Sequence, residues 1–245
     1  MIEADLLEPF ARKLERLTPL APEVRAAILS LDVAEKTFKP NAFLLREETL
    51  SAHCVVIVSG FACREKILGN GSRQILSFQM RGDGVGIAVA MGERADYNLR
   101  ALTDLRAALI PSAAIRRLIE AHPQAMQAFW FETLGEAAIQ REWTANIGRR
   151  DARSRVAHLL CEIAERQVTA GIAERGSFHF PFTQETLGDA TGLTSVHINR
   201  TLGVLRSENV IRQQDKQLTI VDQRSLTAIA GFRPGYLNIQ ENSAA

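Results

Sequence analysis

Leu6, Leu7, Phe10, Leu14 and Leu17 recur at helical spacing, and after Pro19-Leu20-Ala21-Pro22 the pattern predicts a second short helix through Val24, Ile28 and Leu29. From Val33 to about Ile110 the texture changes. Short segments such as His53–Val58, Arg73–Phe78 and Leu105–Ile110 are separated by Ser59-Gly60, Gly69-Asn70-Gly71, Arg81-Gly82-Asp83-Gly84 and Met91-Gly92. Short strands between Gly, Asn and Asp turns predict a small antiparallel barrel or sandwich. Asn70-Gly71 suits a tight hairpin, because both residues tolerate positive φ.

Pro111-Ser112 opens a helix through Ile115, Leu118 and Ile119, halted near His122-Pro123. A much longer helix is predicted from Gln124 to about Arg150. Met126, Trp130, Thr133, Ala137, Gln140, Thr144 and Ile147 lie on one stripe, four and three residues apart in turn, and Phe129, Leu134 and Trp143 widen it. Such a helix runs roughly 39 Å at about 1.5 Å per residue, more than a small barrel needs. It reads either as one core helix covering a sheet or as a coiled-coil-like seam between two copies of the chain. Length and apolar width favour the seam; Thr133, Gln140 and Thr144 weigh against it. At Gly148-Arg149-Arg150-Asp151 the pattern breaks as a hinge would, and Asp151 can cap a new helix carrying Val156, Leu159, Leu160 and Ile163.

The sharpest local signal lies between Phe180 and Ile220. Thr183 is an N-cap candidate for Gln184–Ala190, Thr191-Gly192-Leu193 makes a tight turn, and Thr194 caps a second helix, Ser195–Arg206. Leu187, Ala190, Leu193, Ile198, Leu202 and Leu205 would lock the two helices at a fixed angle, the arrangement of a helix-turn-helix. Two short strands around Gln214-Asp215-Lys216 would add a wing. A three-helix bundle that binds no DNA is the competing reading of this stretch.

Of the 245 residues, 46% are hydrophobic and 23% charged, as in an ordinary globular protein, and the net charge of +1 argues against a histone-like binder that relies on bulk charge. The amphipathic, acidic start lacks the features of a secretory signal, and no apolar run reaches the ~20 residues that span a bilayer. A cytoplasmic protein without a membrane partner is therefore expected. Cys54, Cys63 and Cys161 are scattered and form no CxxC pair, as buried or half-buried thiols would be. No nucleophile elbow, HExxH, phosphate-cradling GxxxxGKS or telling pair of carboxylates occurs, so the reading is not an enzyme and needs neither cofactor nor metal.

The stretch "FPFTQETLGDATGLTSVHINRTLGVLRSENVI" closely resembles the C-terminal motif of the Crp/Fnr superfamily of bacterial transcription regulators. "FQMRGDGVG" followed by "LRALTDLRAALIP" resembles the end of that family's cyclic-nucleotide-binding-type barrel. The resemblance covers roughly Leu20 to Ile220. It implies an α+β protein: a jelly-roll β-barrel domain over 1–122, a dimerisation helix over 123–148 and a winged helix-turn-helix domain over 149–245. It also implies a homodimer on palindromic double-stranded DNA, with RNA polymerase as a further partner such a regulator can touch. Carried over, the base-reading positions fall on Ser195, Val196, Asn199 and Arg200, and the backbone-contacting positions on Thr183, Gln184, Thr194, His197 and Arg206. An arginine at 200 can grip guanine O6 and N7, and Asn199 can pair with adenine or a phosphate. Many relatives carry glutamate where this chain has Val196, and valine offers only apolar contact.

Cyclic-nucleotide-binding relatives hold the ligand with a glycine-glutamate pair and, further on, an arginine-serine pair. Here Gly86 is followed by Ile87, and the second pair falls on Ala95-Asp96 with Arg94 one position off. Gly82 and Asp83 complete this candidate effector pocket. An aspartate would repel the phosphate, so independence of cyclic nucleotides is expected. The alternative is a sensor module whose cyclic nucleotide, haem or redox signal controls DNA binding or a partner protein. For haem the candidate ligands are His53 and Met91; for redox, Cys54 or Cys63, with Arg64 beside the latter. An iron-sulfur cluster is not expected, since no cysteine precedes Cys54.

Overall fold

The computed structural model describes residues 4–237; the outer ends of the first and last expected domains, 1–3 and 238–245, lie outside the described residues. Two helices, α1 (Ala4–Leu17) and α2 (Pro22–Leu29), form where the spacing predicts them and bury Leu6, Leu7, Phe10, Leu14, Val24 and Ile28. Eight strands follow: β1 (Ala34–Phe38), β2 (Phe43–Leu45), β3 (His53–Ser59), β4 (Ala62–Ile67), β5 (Arg73–Gln79), β6 (Gly84–Val85), β7 (Asn98–Ala101) and β8 (Leu105–Pro111). A one-turn helix, α3 (Ile87–Ala90), follows β6.

These strands form two four-stranded sheets, ordered β1-β8-β3-β6 and β2-β7-β4-β5. Strands far apart in sequence pair antiparallel, Val55 of β3 opposite Leu109 of β8 and Ala62 of β4 opposite Ala101 of β7. Successive β3 side chains point to opposite faces. Val55 and Ile57 join the core between the sheets with Leu99, Ala101 and Leu105. Cys54 and Val56 face a second core built with α1, α2 and Phe129. Two buried faces explain why β3 reads as an unbroken apolar run. In the hairpin at 68–72 the left-handed residue is Gly71 alone (φ 81°), and Asn70 acts through its side chain, which accepts the Ser72 N–H at 3.0 Å.

After α4 (Ser112–Ala121) comes α5 (Pro123–Arg149), 27 residues long, which starts on a proline preset for a first helical position and runs through Gly148. The expected stripe needs one correction. Phe129 (1% exposed) and Trp143 (4%) do not widen it; both bury inward, Phe129 stacking on Phe10 with ring centres 6.1 Å apart. Met126, Trp130, Thr133, Leu134 and Thr144 are exposed, while Ala137, Gln140 and Ile147 are half-buried.

The described chain divides into two compact units, one of residues 4–66 with 78–137, the other of 67–77 with 138–237. The division falls inside α5. Beyond it lie α6 (Ala152–Thr169), β9 (Ser177–His179), α7 (Gln184–Thr191), α8 (Ser195–Ser207), β10 (Ile211–Gln214), β11 (Gln217–Ile220) and α9 (Gln223–Ala230), closed by a 3-10 turn at Pro234–Leu237. Asp151 caps α6 as predicted, accepting the Ser154 N–H at 2.9 Å, which holds its carboxyl below the ordinary aspartate range. Strand β9, α9 and the final turn were not expected; β9 completes a three-stranded sheet ordered β10-β11-β9.

Candidate nucleic-acid interface

The geometry between 183 and 220 follows from two threonine caps and two glycines. Thr183 Oγ1 accepts the Thr186 N–H at 3.0 Å and starts α7; Thr194 Oγ1 accepts the His197 N–H at 3.3 Å and starts α8. Between them Gly192 takes φ 66°, where an L side chain is strained. Gly188 lets the turn close. A Cβ there would stand 2.5 Å from the Leu193 carbonyl oxygen, inside any real contact distance. Leu187, Ala190, Ile198, Leu202 and Leu205 are all 4% exposed or less, whereas Leu193 is only half-buried.

That core leaves the other face of α8 in solvent. Ser195, Val196 (76% exposed), Asn199 and Arg200 project from it together, linked by the three- and four-residue intervals that share a helix face. Thr183 and Gln184 are exposed at the start of α7, and Arg206 in the last turn of α8. His197 is exposed too, with its ring turned back so that Nδ1 lies 3.0 Å from Thr194 Oγ1. Lys216 and Arg212 are exposed on the β10–β11 wing. A cleft of about 330 Å³ flanks α8, lined by Arg200, His197 and Val204 on one side and Arg153 on the other. Arg153, which pairs with Glu208, was missed by the sequence reading. Its only signal was the arginine-rich run 149–155.

The residues of the candidate effector pocket all lie in the first unit. Asp83 is buried; its Oδ1 pairs with Lys13 of α1 at 2.7 Å and its Oδ2 accepts the Met80 N–H at 2.7 Å. Gly82 is buried in the same turn, and its N–H reaches the Ile57 carbonyl. Gly86 (φ 92°) precedes α3, where Ile87 is half-buried. Arg94 is exposed and donates to the Glu48 carbonyl at 2.7 Å; Ala95 is buried and Asp96 exposed. Beside them the Arg64 guanidinium lies 4.8 Å over the Tyr97 ring and pairs with Glu136 of α5. Burial is the largest single influence and opposes the charge on Arg64, but Glu136, Tyr97 and Glu132 together outweigh it and raise the arginine pKa. One turn earlier on α5, Glu132 pairs with Lys13 at 2.6 Å.

The sequence's three cysteines are buried, and burial pushes the thiols of Cys54 and Cys161 up to about 12, far from thiolate reactivity at neutral pH. Among the described residues no group of three or more His, Cys, Asp or Glu side chains is placed to hold a metal ion, and no helix is long and apolar enough to cross a membrane.

A winged helix-turn-helix following a cyclic-nucleotide-binding-type barrel and a long helix defines the class of DNA-binding transcription regulators. Comparisons with known proteins agree. Residues 154–229 match the Crp-like helix-turn-helix domain and residues 35–122 the cyclic nucleotide-binding domain. The chain is 29% identical to the transcriptional activator protein FnrL of Cereibacter sphaeroides over 168 residues, 67% of each chain. It is 24% identical to the nitrogen fixation regulation protein FixK of Azorhizobium caulinodans over 188 residues, 77% of this chain and 75% of that one. In fold it is similar to FixK2 from Bradyrhizobium japonicum, with a TM-score of 0.76 at 22% identity, over 83% of this chain and all of that one. The chain belongs to the Crp/Fnr superfamily of transcription regulators.

Proposed function

We propose that the protein is a cytoplasmic, sequence-specific regulator that binds a palindromic operator as a homodimer and does so without a cyclic nucleotide. The carrying observation is the solvent-facing row Ser195, Val196, Asn199 and Arg200 on a helix whose opposite face is fully buried. A helix that wide fits the major groove of B-DNA, with side chains directed at base edges and Thr183, Gln184, Thr194, His197 and Arg206 toward phosphates. Dimerisation is supported by the apolar row on α5, where Trp130 is 56% and Met126 39% exposed. Water-exposed aromatic surface on a long helix is what a second copy would cover. RNA polymerase is the further partner this reading expects.

Independence of cyclic nucleotides is supported by chemistry. A buried cyclic phosphate needs a counter-charge. The positions that would supply it hold Ala95 and Asp96, and Arg94 is turned to the Glu48 carbonyl. The nearby buried cation, Arg64, is already matched by Glu136.

The test is selection of bound duplexes from a random pool, followed by binding isotherms and sedimentation of the complex. Enrichment of an inverted repeat bound by two chains is expected. Equal affinity for selected and scrambled duplexes, or a single chain on the selected site, would refute the proposal.

A further inference from the structure

Three segments meet at one guanidinium in the second unit. Arg155, in the first turn of α6, donates through Nη1 to the carbonyl of Thr191, the last residue of α7, at 2.7 Å. Through Nη2 it donates to the carbonyl of Arg150, just past the end of α5, at 3.0 Å. Its own carbonyl accepts from Nδ2 of Asn146, a buried residue of α5, at 3.3 Å. Both carbonyls gripped by the side chain belong to helix C-termini, whose last acceptors have no partner within their own helix and carry the negative end of the helix dipole. The contact at the turn continues beside the guanidinium. A Cβ built on Gly192 would lie 3.6 Å from Ile147 Cγ2 and 3.7 Å from Arg155 Nη1, so the long helix and Arg155 both back directly onto the turn that starts α8.

We infer that Arg155 is a positioning residue for DNA reading: its planar fork sets the angle between α5 and the recognition helix, and with it the separation at which two recognition helices meet a duplex. The inference rests on the dimeric reading above. Arg155 is half-buried behind the turn and reads no base. It acts through the two carbonyls whose separation it fixes. The fork is rigid and two-pronged; lysine, a single charge on a flexible stem, keeps the charge but cannot hold both carbonyls in one plane. Arg150 and Asp151, the residues between α5 and α6, are therefore braced across their backs instead of forming a free joint.

The experiment uses the full chain with Arg155→Lys, Arg155→Ala and, as a control for base reading, Arg200→Ala. Duplexes carry the selected inverted repeat with its half-sites moved closer or further apart in single base-pair steps. For Arg155→Lys the expected result is unchanged helical content and unchanged affinity for a scrambled duplex. Affinity at the best spacing should fall about tenfold, the scale of one lost operator contact, with smaller losses at neighbouring spacings, so that the spacing profile flattens or shifts. A spacing profile identical to the wild type, or an equal loss at every spacing and on the scrambled duplex, would overturn the inference. If Arg155→Ala does not fold, Arg155→Lys decides. If the wild type binds no selected duplex, the DNA reading itself fails and takes this inference with it; if it binds and Arg200→Ala weakens it while the Arg155 profiles stay unchanged, only the positioning role is lost.

Discussion

The indole Nε1–H of Trp143 faces both carboxylate oxygens of Glu162 at 3.0 Å, joining the second half of α5 to α6 through a pair that is almost wholly buried. Tyr236, in the final turn of the described chain, donates its hydroxyl to the same carboxylate at 2.7 Å. Burial raises the Glu162 pKa, against the pull of Arg166, whose Nη1 lies 3.6 Å away, and of the hydrogen bonds from Tyr236 and Trp143. A buried carboxylate is tolerated only while its acceptors are satisfied. Trp143→Phe, which keeps the apolar body and removes the donor, is expected to cost about 1–3 kcal/mol, and Tyr236→Phe a similar amount. Urea unfolding followed by tryptophan fluorescence and circular dichroism measures both. Losses within error of zero would show that the carboxylate is content without these donors.

Arg200→Ala is expected to weaken binding to the selected operator by about 1–3 kcal/mol and to relax preference at one base pair, while a scrambled duplex loses much less. Val196→Glu should create a preference for cytosine at one position, since a carboxylate accepts from cytosine N4 and valine does not. Competition binding against single-base operator variants reads both.

Gly188→Ala should destabilise the C-terminal unit by about 1–3 kcal/mol, because the new methyl meets a backbone carbonyl that cannot swing aside. Thermal unfolding checks the cost. Alanine at Gly203, where a Cβ would meet nothing nearer than the Arg206 tip at 4.0 Å, serves as the tolerant control and raises local helix propensity.

His158 gives a pH dependence whose sign is set by its burial. Its ring is 1% exposed, stacked on Tyr236 with centres 5.9 Å apart and edge-on to Phe232, with Nε2 3.2 Å from Glu142. Burial first, then the nearby Arg150 charge, lowers its pKa to about 4, against the pull of Glu142. Between about 4 and the unfolded value near 6.5, the unfolded chain binds a proton that the folded chain refuses. This residue's contribution should therefore cost stability progressively as pH falls through that window and level off below it, by about 3 kcal/mol in all. In His158→Gln the slope of unfolding free energy against pH should be shallower across the same window; an unchanged slope would remove His158 as its source.

Cyclic AMP and cyclic GMP are expected to give no binding heat at micromolar concentration and no change in operator affinity. Isothermal titration settles it, and saturable heat from either nucleotide would contradict the absence of a phosphate counter-charge at Ala95 and Asp96.

What the amino-acid sequence determined alone is what short-range chemistry controls. Thr183, Thr194 and Asp151 cap their own helices within three residues, Gly192 meets a local demand for positive φ, and the intervals of Ser195, Val196, Asn199 and Arg200 place them on one helix face whatever surrounds it. Strands β1, β2 and β6 were illegible for the converse reason. One buries only its last residue and the others are three and two residues long, so partners distant in sequence, not periodicity, make them strands. Periodicity likewise marked the apolar positions of α5 without saying which neighbour would cover each. Only the folded chain turned Phe129 and Trp143 inward and left Trp130 in water. It also brought Lys13 to Asp83 and Glu132, Arg64 to Glu136, and Arg155 to Thr191, across separations that no local pattern encodes. Charge and hydrogen-bonding capacity are written in each residue, but which opposite charge or carbonyl answers them depends on where the backbone carries both.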